Sequence, residues 1–143
     1  MIGFFDSGLG GLTILHEVAK CRPGSYLYLG DNARAPYGLR SVDEVRRFTL
    51  EGVAWLVEQN CRLIILACNT ASANALRFLQ QAWLPNYAPQ VRVLGILVPT
   101  VEAITGVGWH EPEQGSHEPV IAVFATPSTV ASGAYEREII RRL

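Results

Sequence analysis

A chain of 143 residues, 49% of them hydrophobic, with 12 basic against 13 acidic side chains, has the balance of an ordinary globular protein. A net charge of −1 without a Lys/Arg cluster leaves no electrostatic footprint for nucleic acid or an anionic membrane, and no apolar run is long enough to span a bilayer. The first six residues are too short for a secretory signal and lack its charged flank, so a cytoplasmic protein with reduced thiols is expected.

In chain order, short runs rich in Ile, Val, Phe and Tyr alternate with segments of helical period. The runs at 2–5, 26–29, 63–67, 91–97 and 120–124 predict strands, and those at 12–19, 42–59 and 71–82 predict helices. That alternation argues for an α/β fold, a parallel sheet flanked by helices. Ser41 and Glu44 have the spacing of a capping box at the start of the second helix. Residues 106–119, GVGWHEPEQGSHEP, lack apolar periodicity and predict a surface loop. Thr126 and Pro127 look like a cap and first helical residue, opening a helix through Tyr135 and Ile140 to Leu143. It has no stop signal, and the expectation is an incomplete chain.

Cys21, Cys61 and Cys68 fit no C-x-x-C spacing, and His16, His110 and His117 sit in unrelated contexts. No metal site is expected.

In an open parallel sheet, ligands bind beyond the carboxyl ends of the strands. The first strand ends in Asp6, Ser7 and Gly8, followed by LGGLT. The second continues through Gly30 and Asp31 to Pro36, Tyr37 and Gly38, and the third ends in Cys68, Asn69 and Thr70. Each group has a plain structural reading. Asp6 and Ser7 suit a helix cap, Tyr37 and Gly38 an ordinary turn, and a free cysteine packs like a small hydrophobe. Position favours chemistry at Cys68, because a strand end that becomes a helix start carries partial positive charge, which lowers a thiol's pKa. A thiol near the reference of about 8.5 is only about 3% thiolate at pH 7, so a modest shift enlarges the reactive population. Asp6, across the neighbouring strand end, is placed to exchange a proton with that thiol. The cluster suits acid–base chemistry as well as nucleophilic attack. Gly8, Gly10 and Asp31 also suggest a dinucleotide site, but Thr13 occupies the third glycine's place and Asp6 would repel a pyrophosphate.

Taken together and in order, GFFDSGLGGLTIL, YLGDNARAPYG, LACNTASA and ATPSTVASGAY closely resemble the glutamate racemases of the aspartate/glutamate racemase superfamily. The resemblance implies a cofactor-independent enzyme that interconverts L- and D-glutamate, supplying D-glutamate for peptidoglycan, with two thiols facing opposite sides of the substrate's α-carbon. By resemblance, Cys68 is the thiol that acts on D-glutamate, with Asp6 assisting its proton transfer. Asp6, Ser7, Tyr37, Gly38, Asn69 and Thr70 match substrate-contacting positions, and a homodimer is also implied.

The family's second catalytic segment, Cys-Thr-His, has no match here, and neither Cys21 nor Cys61 replaces it. The resemblance therefore implies a first α/β domain over residues 1–94 and about half of a second, similar one over 95–143, with Val98, Pro99 and Thr100 in the linker. The chain alone is expected not to racemise. An amino-acid-binding fragment without turnover and an aspartate racemase are the alternatives.

Overall fold

The computed structural model describes residues 1–106 and 120–142. The β-branched and aromatic runs form β1 (Ile2–Asp6), β2 (Tyr26–Gly30), β3 (Leu63–Leu66) and β4 (Arg92–Gly95), which pair in parallel in the order β2–β1–β3–β4. The sheet grows from β1 toward β2 first and then back past β1 to β3, so the chain reverses direction between β1 and β3. A crevice beyond the carboxyl ends of two such strands is where ligands bind in open α/β sheets.

One face of the sheet carries Phe5, Ile64, Leu66 and Val93, and it is packed by α2 (Val42–Glu58) and α3 (Asn69–Phe78). From α2 come Val45, Phe48, Val53 and Leu56, all buried. Burying each such side chain is worth about 1.5–3 kcal/mol. The predicted capping box is present: the Glu44 backbone N–H donates to Ser41 Oγ, and Glu44 Oε2 accepts from the Ser41 backbone N–H at 3.0 Å. The Ser41 backbone N–H foremost, and then the Ser41 hydroxyl, which donates to the same Glu44 oxygen at 2.9 Å, hold the Glu44 carboxyl below its ordinary range. A cap is worth about 1 kcal/mol, so packing holds this helix in place and the cap sets where it starts.

The opposite face is more open. α1 (Leu12–Cys21) has no buried residue, and its Ile14 and Val18 line a groove with Ile65 of β3 and Leu94 of β4.

Four expectations need correction. The predicted strand at 91–97 is shorter, because Leu97 opens a helix, α5 (Leu97–Thr105). Pro99 lies in its first turn, where a missing N–H costs nothing, so Val98, Pro99 and Thr100 are helical. The predicted helix at 71–82 gives way at Leu79 to a π-helical turn, Leu79–Trp83, followed by α4 (Leu84–Tyr87). Pro85 explains this, since proline cannot donate to the preceding turn and clashes with it. Residues 120–124 form no strand: Val120 and Phe124 are almost fully exposed, and among the described residues no neighbouring strand pairs with them. The last helix is two, α6 (Pro127–Ala131) and α7 (Ala134–Ile140), broken where Gly133 takes a left-handed φ of 60°. Residues 107–119 of the predicted loop, and Leu143, lie outside the described residues.

Two substitutions test this packing. Ser41→Ala should lower stability by about 1 kcal/mol, read as a lower urea midpoint at unchanged slope. Gly52→Ala adds a Cβ 2.3 Å from Cε2 of the fully buried Phe5. Overpacking of about 1–3 kcal/mol exceeds the roughly 1 kcal/mol gained in helix propensity, so the urea midpoint should fall. A rise would show that the Phe5 ring yields freely.

Candidate active site at the strand reversal

The parallel register sets Phe5 beside Leu66, and the Ala67 N–H donates to the Phe5 carbonyl at 2.8 Å. Asp6 therefore ends β1 beside Ala67, one residue before Cys68. Both Asp6 and Cys68 are buried. Of the seven predicted site residues, Asp6, Ser7 and Cys68 gather here.

Cys68 is the N-cap of α3. Its sulfur accepts from the Ala71 N–H at 3.5 Å and its thiol donates to Ser7 Oγ at 3.4 Å. An N–H donor and a hydroxyl acceptor thus bracket the sulfur. Ser7, which accepts the thiol's hydrogen bond, keeps its own proton to give elsewhere. The direct partner of the thiol is Ser7.

The Asp6 carboxylate has two partners on a single oxygen. Oδ2 accepts from the Gly11 N–H at 2.8 Å and from the Tyr28 hydroxyl at 3.1 Å. Gly11 is the N-cap of α1 and no side chain makes a cap bond to that helix, so Asp6 anchors the residue that opens α1 rather than capping it, contrary to the helix-cap reading. Gly11 is required at this point: a Cβ would lie 2.7 Å from that of Ala67 and 3.0 Å from that of Asp6. Tyr28 was not among the predicted site residues. It lies across from Phe4 in the β1–β2 register, on the face that Asp6 shares, and its hydroxyl also lies 2.9 Å from the Gly8 carbonyl. Burial first, and then the Asp6 charge, push its phenol well above the ordinary range, so Tyr28 stays protonated.

Tyr37 and Gly38 are buried, in a short 3-10 turn (Tyr37–Leu39) that follows a cis Ala35–Pro36 bond. The Tyr37 hydroxyl donates to Asp31 Oδ2 at 2.6 Å, and Arg34 Nε donates to the same oxygen at 2.6 Å. The phenol is therefore engaged inside the protein, and burial, then Asp31, push it far above the ordinary range. This turn packs on α6: a Cβ on Gly38 would lie 2.4 Å from Thr126 Cβ.

Thr70 is buried and belongs to a triangle of hydroxyls, 3.0 Å from Thr126 Oγ1 and 3.1 Å from Thr129 Oγ1, which are 2.9 Å from each other. Three hydroxyls in a ring each give one proton to the next, so the triangle spends its protons internally and keeps spare acceptor capacity. Thr126 works through this ring; its side chain makes no cap bond to α6. Asn69 is exposed, and its carbonyl oxygen accepts from the Tyr135 hydroxyl of α7. Thr126, Thr129 and Tyr135 thus tie α6 and α7 to the start of α3. The motif ATPSTVASGAY held that signal, but only the fold shows which strand end it meets.

Among the described residues, no group of three or more His, Cys, Asp and Glu side chains is placed to hold a metal ion, and no helix is long and apolar enough to cross a membrane.

No family model matches the chain. Its relatives include the glutamate racemases of Jannaschia sp. (strain CCS1), 47% identical over 99% of this chain and 52% of that protein, and of Paracoccus denitrificans, 49% identical over the same shares. The solved glutamate racemase of Aquifex pyrophilus superposes with a TM-score of 0.82 at 40% identity, covering 98% of this chain and 50% of the other. That of Francisella tularensis, solved in complex with D-glutamate, gives 0.80 at 32% identity over 99% of this chain and 48% of the other. The chain is thus a homologue of the glutamate racemases along 99% of its residues, and it spans about half the length of the curated relatives it matches.

Proposed function

We propose that these residues form one catalytic face of a cytoplasmic glutamate racemase, which interconverts L- and D-glutamate without a cofactor and supplies D-glutamate for peptidoglycan. The observation that carries this reading is the placement of Cys68. Its thiol caps α3 beyond β3 and donates to Ser7, and the adjacent strand end, that of β1, carries the Asp6 carboxylate. Cys68 removes the α-proton of D-glutamate, and delivers one when D-glutamate is formed. Asp6 and Ser7 are the polar groups beside the thiol that receive and return its proton.

The α-proton of an amino acid is weakly acidic, so the carbanion must be met by fixed donors in a site that excludes water. The donors left by the internal hydrogen bonds are the Ser7 proton, the Asn69 amide and backbone N–H groups at the strand ends. Tyr37 and Gly38 contact the substrate through backbone, because the phenol is bound to Asp31. Thr70 offers lone pairs, suited to the substrate's ammonium. Inversion needs a base on the opposite face as well. That base lies in the part of the relatives' length that this chain does not span.

In a polypeptide of the relatives' length carrying these residues, Cys68→Ser should reduce racemisation by about 10²–10⁴-fold or more, followed by circular dichroism of glutamate. Activity close to that of the parent would refute the assignment. The 143 residues alone should bind D-glutamate in calorimetry at most weakly and should not invert it; measurable inversion by this chain would place both bases within it.

A further inference from the structure

The geometry points to Tyr28 as the positioning residue for Asp6: its hydroxyl donates to the carboxylate while Asp6 is ionised, and turns to the Gly8 carbonyl when Asp6 holds a proton. This deepens the racemase reading and rests on it for the role of Asp6.

The phenol has one proton and two acceptors within reach, Asp6 Oδ2 at 3.1 Å and the Gly8 carbonyl at 2.9 Å. It can serve only one of them fully at a time. With Asp6 ionised, the charged acceptor wins, since hydrogen bonds to an ionised group are about twice as strong as neutral ones. When the Cys68 proton arrives at Asp6, the sulfur becomes a thiolate and the carboxylate a neutral acid. An Oδ2–H then donates to the Tyr28 oxygen while the Tyr28 O–H turns to Gly8. The hydrogen bond between Tyr28 and Asp6 reverses its direction, and the phenol keeps its covalent O–H throughout. Its raised pKa keeps it a donor throughout.

In both arrangements the phenol oxygen and Asp6 Oδ2 stay hydrogen-bonded to each other, and what changes is which of them donates. The Gly11 N–H, 2.8 Å from the same carboxylate oxygen, is the fixed point about which the switch operates. The Tyr28 phenol feels the charge of Asp6 and, from the start of α3, that of Cys68. Tyr26, two residues earlier on β2, does not share this work: its ring packs edge-on against Phe4, with centroids 6.0 Å apart.

Two readouts separate this role from a structural one. In carbon-13 NMR of the 143-residue chain, the Gly8 carbonyl resonance should move in step with protonation of the Asp6 carboxyl, and Tyr28→Phe should remove most of that movement. A Gly8 resonance indifferent to Asp6 in the unmodified chain, or coupling that persists in Tyr28→Phe, overturns the proposal, and the first outcome needs no variant to fold. In the longer polypeptide, Tyr28→Phe should lower kcat by about 10–100-fold with KM for D-glutamate changed less than about twofold, because the proton acceptor is misplaced but present. The primary isotope effect should rise with α-deuterated D-glutamate, where Cys68 takes the proton, and fall with α-deuterated L-glutamate. Equal changes in both directions would mean a general structural loss and would overturn the assignment. If the unmodified polypeptide fails to racemise, the racemase reading falls, while the NMR experiment still decides the switch.

Discussion

The pairing of β1 with β3 is the constraint on which the site depends. These two strands are adjacent in the sheet although β2 separates them in sequence, and the N–H of Ala67 closes the pair on the carbonyl of Phe5. A carboxylate and a thiol 62 residues apart are thereby brought to adjacent strand ends. Sliding the register by one residue would send Asp6 to the packed face of Phe5 and break the cluster. What prevents the slip is burial: Phe5, Ile64, Leu66 and Val93 all need the helical layer of α2 and α3.

Once the strands are fixed, the site is tuned by hydrogen bonds internal to the protein. Asp31 and Arg34 engage the Tyr37 phenol, Thr126 and Thr129 close a ring on Thr70, Tyr135 reaches Asn69, and Tyr28 holds Asp6. Side chains so occupied are oriented before any ligand arrives, which is the condition for electrostatic stabilisation of a short-lived carbanion. It also narrows what each residue offers. Tyr37 presents backbone and Thr70 presents lone pairs, while Ser7 retains a proton to give.

The sheet, the flanking helices and the positions of Asp6, Ser7 and Cys68 were legible in the sequence, because strand ends are marked where an apolar run stops at a polar residue. The Ser41 cap was legible for the same local reason. What failed were choices that local pattern cannot make. The apolar run at 91–97 fits a strand or a helix equally, and Pro99 was the unused sign of a helix start. The alternation at 120–124 has the chemistry of a strand, but strand formation needs a neighbour. Tyr28 was hidden because its significance lies in cross-strand register: on its own strand it is one of two tyrosines, and only the pairing with Phe4 puts its hydroxyl at Asp6. The resemblance to glutamate racemases rested on four ordered motifs, and relatives 46–49% identical along 99% of the chain bear it out.

The central claim is that a substrate α-carbon sits at the Cys68 thiol, beyond the ends of β1 and β3. The most direct measurement is a crystal structure of the longer polypeptide carrying these residues, with D-glutamate bound. The α-carbon is expected at about 3–3.5 Å from Cys68 Sγ, its C–H bond aimed at the sulfur, with Ser7 and Asn69 within hydrogen-bond distance of the ligand. D-glutamate bound away from this crevice, or with its α-hydrogen turned from the thiol, would contradict it.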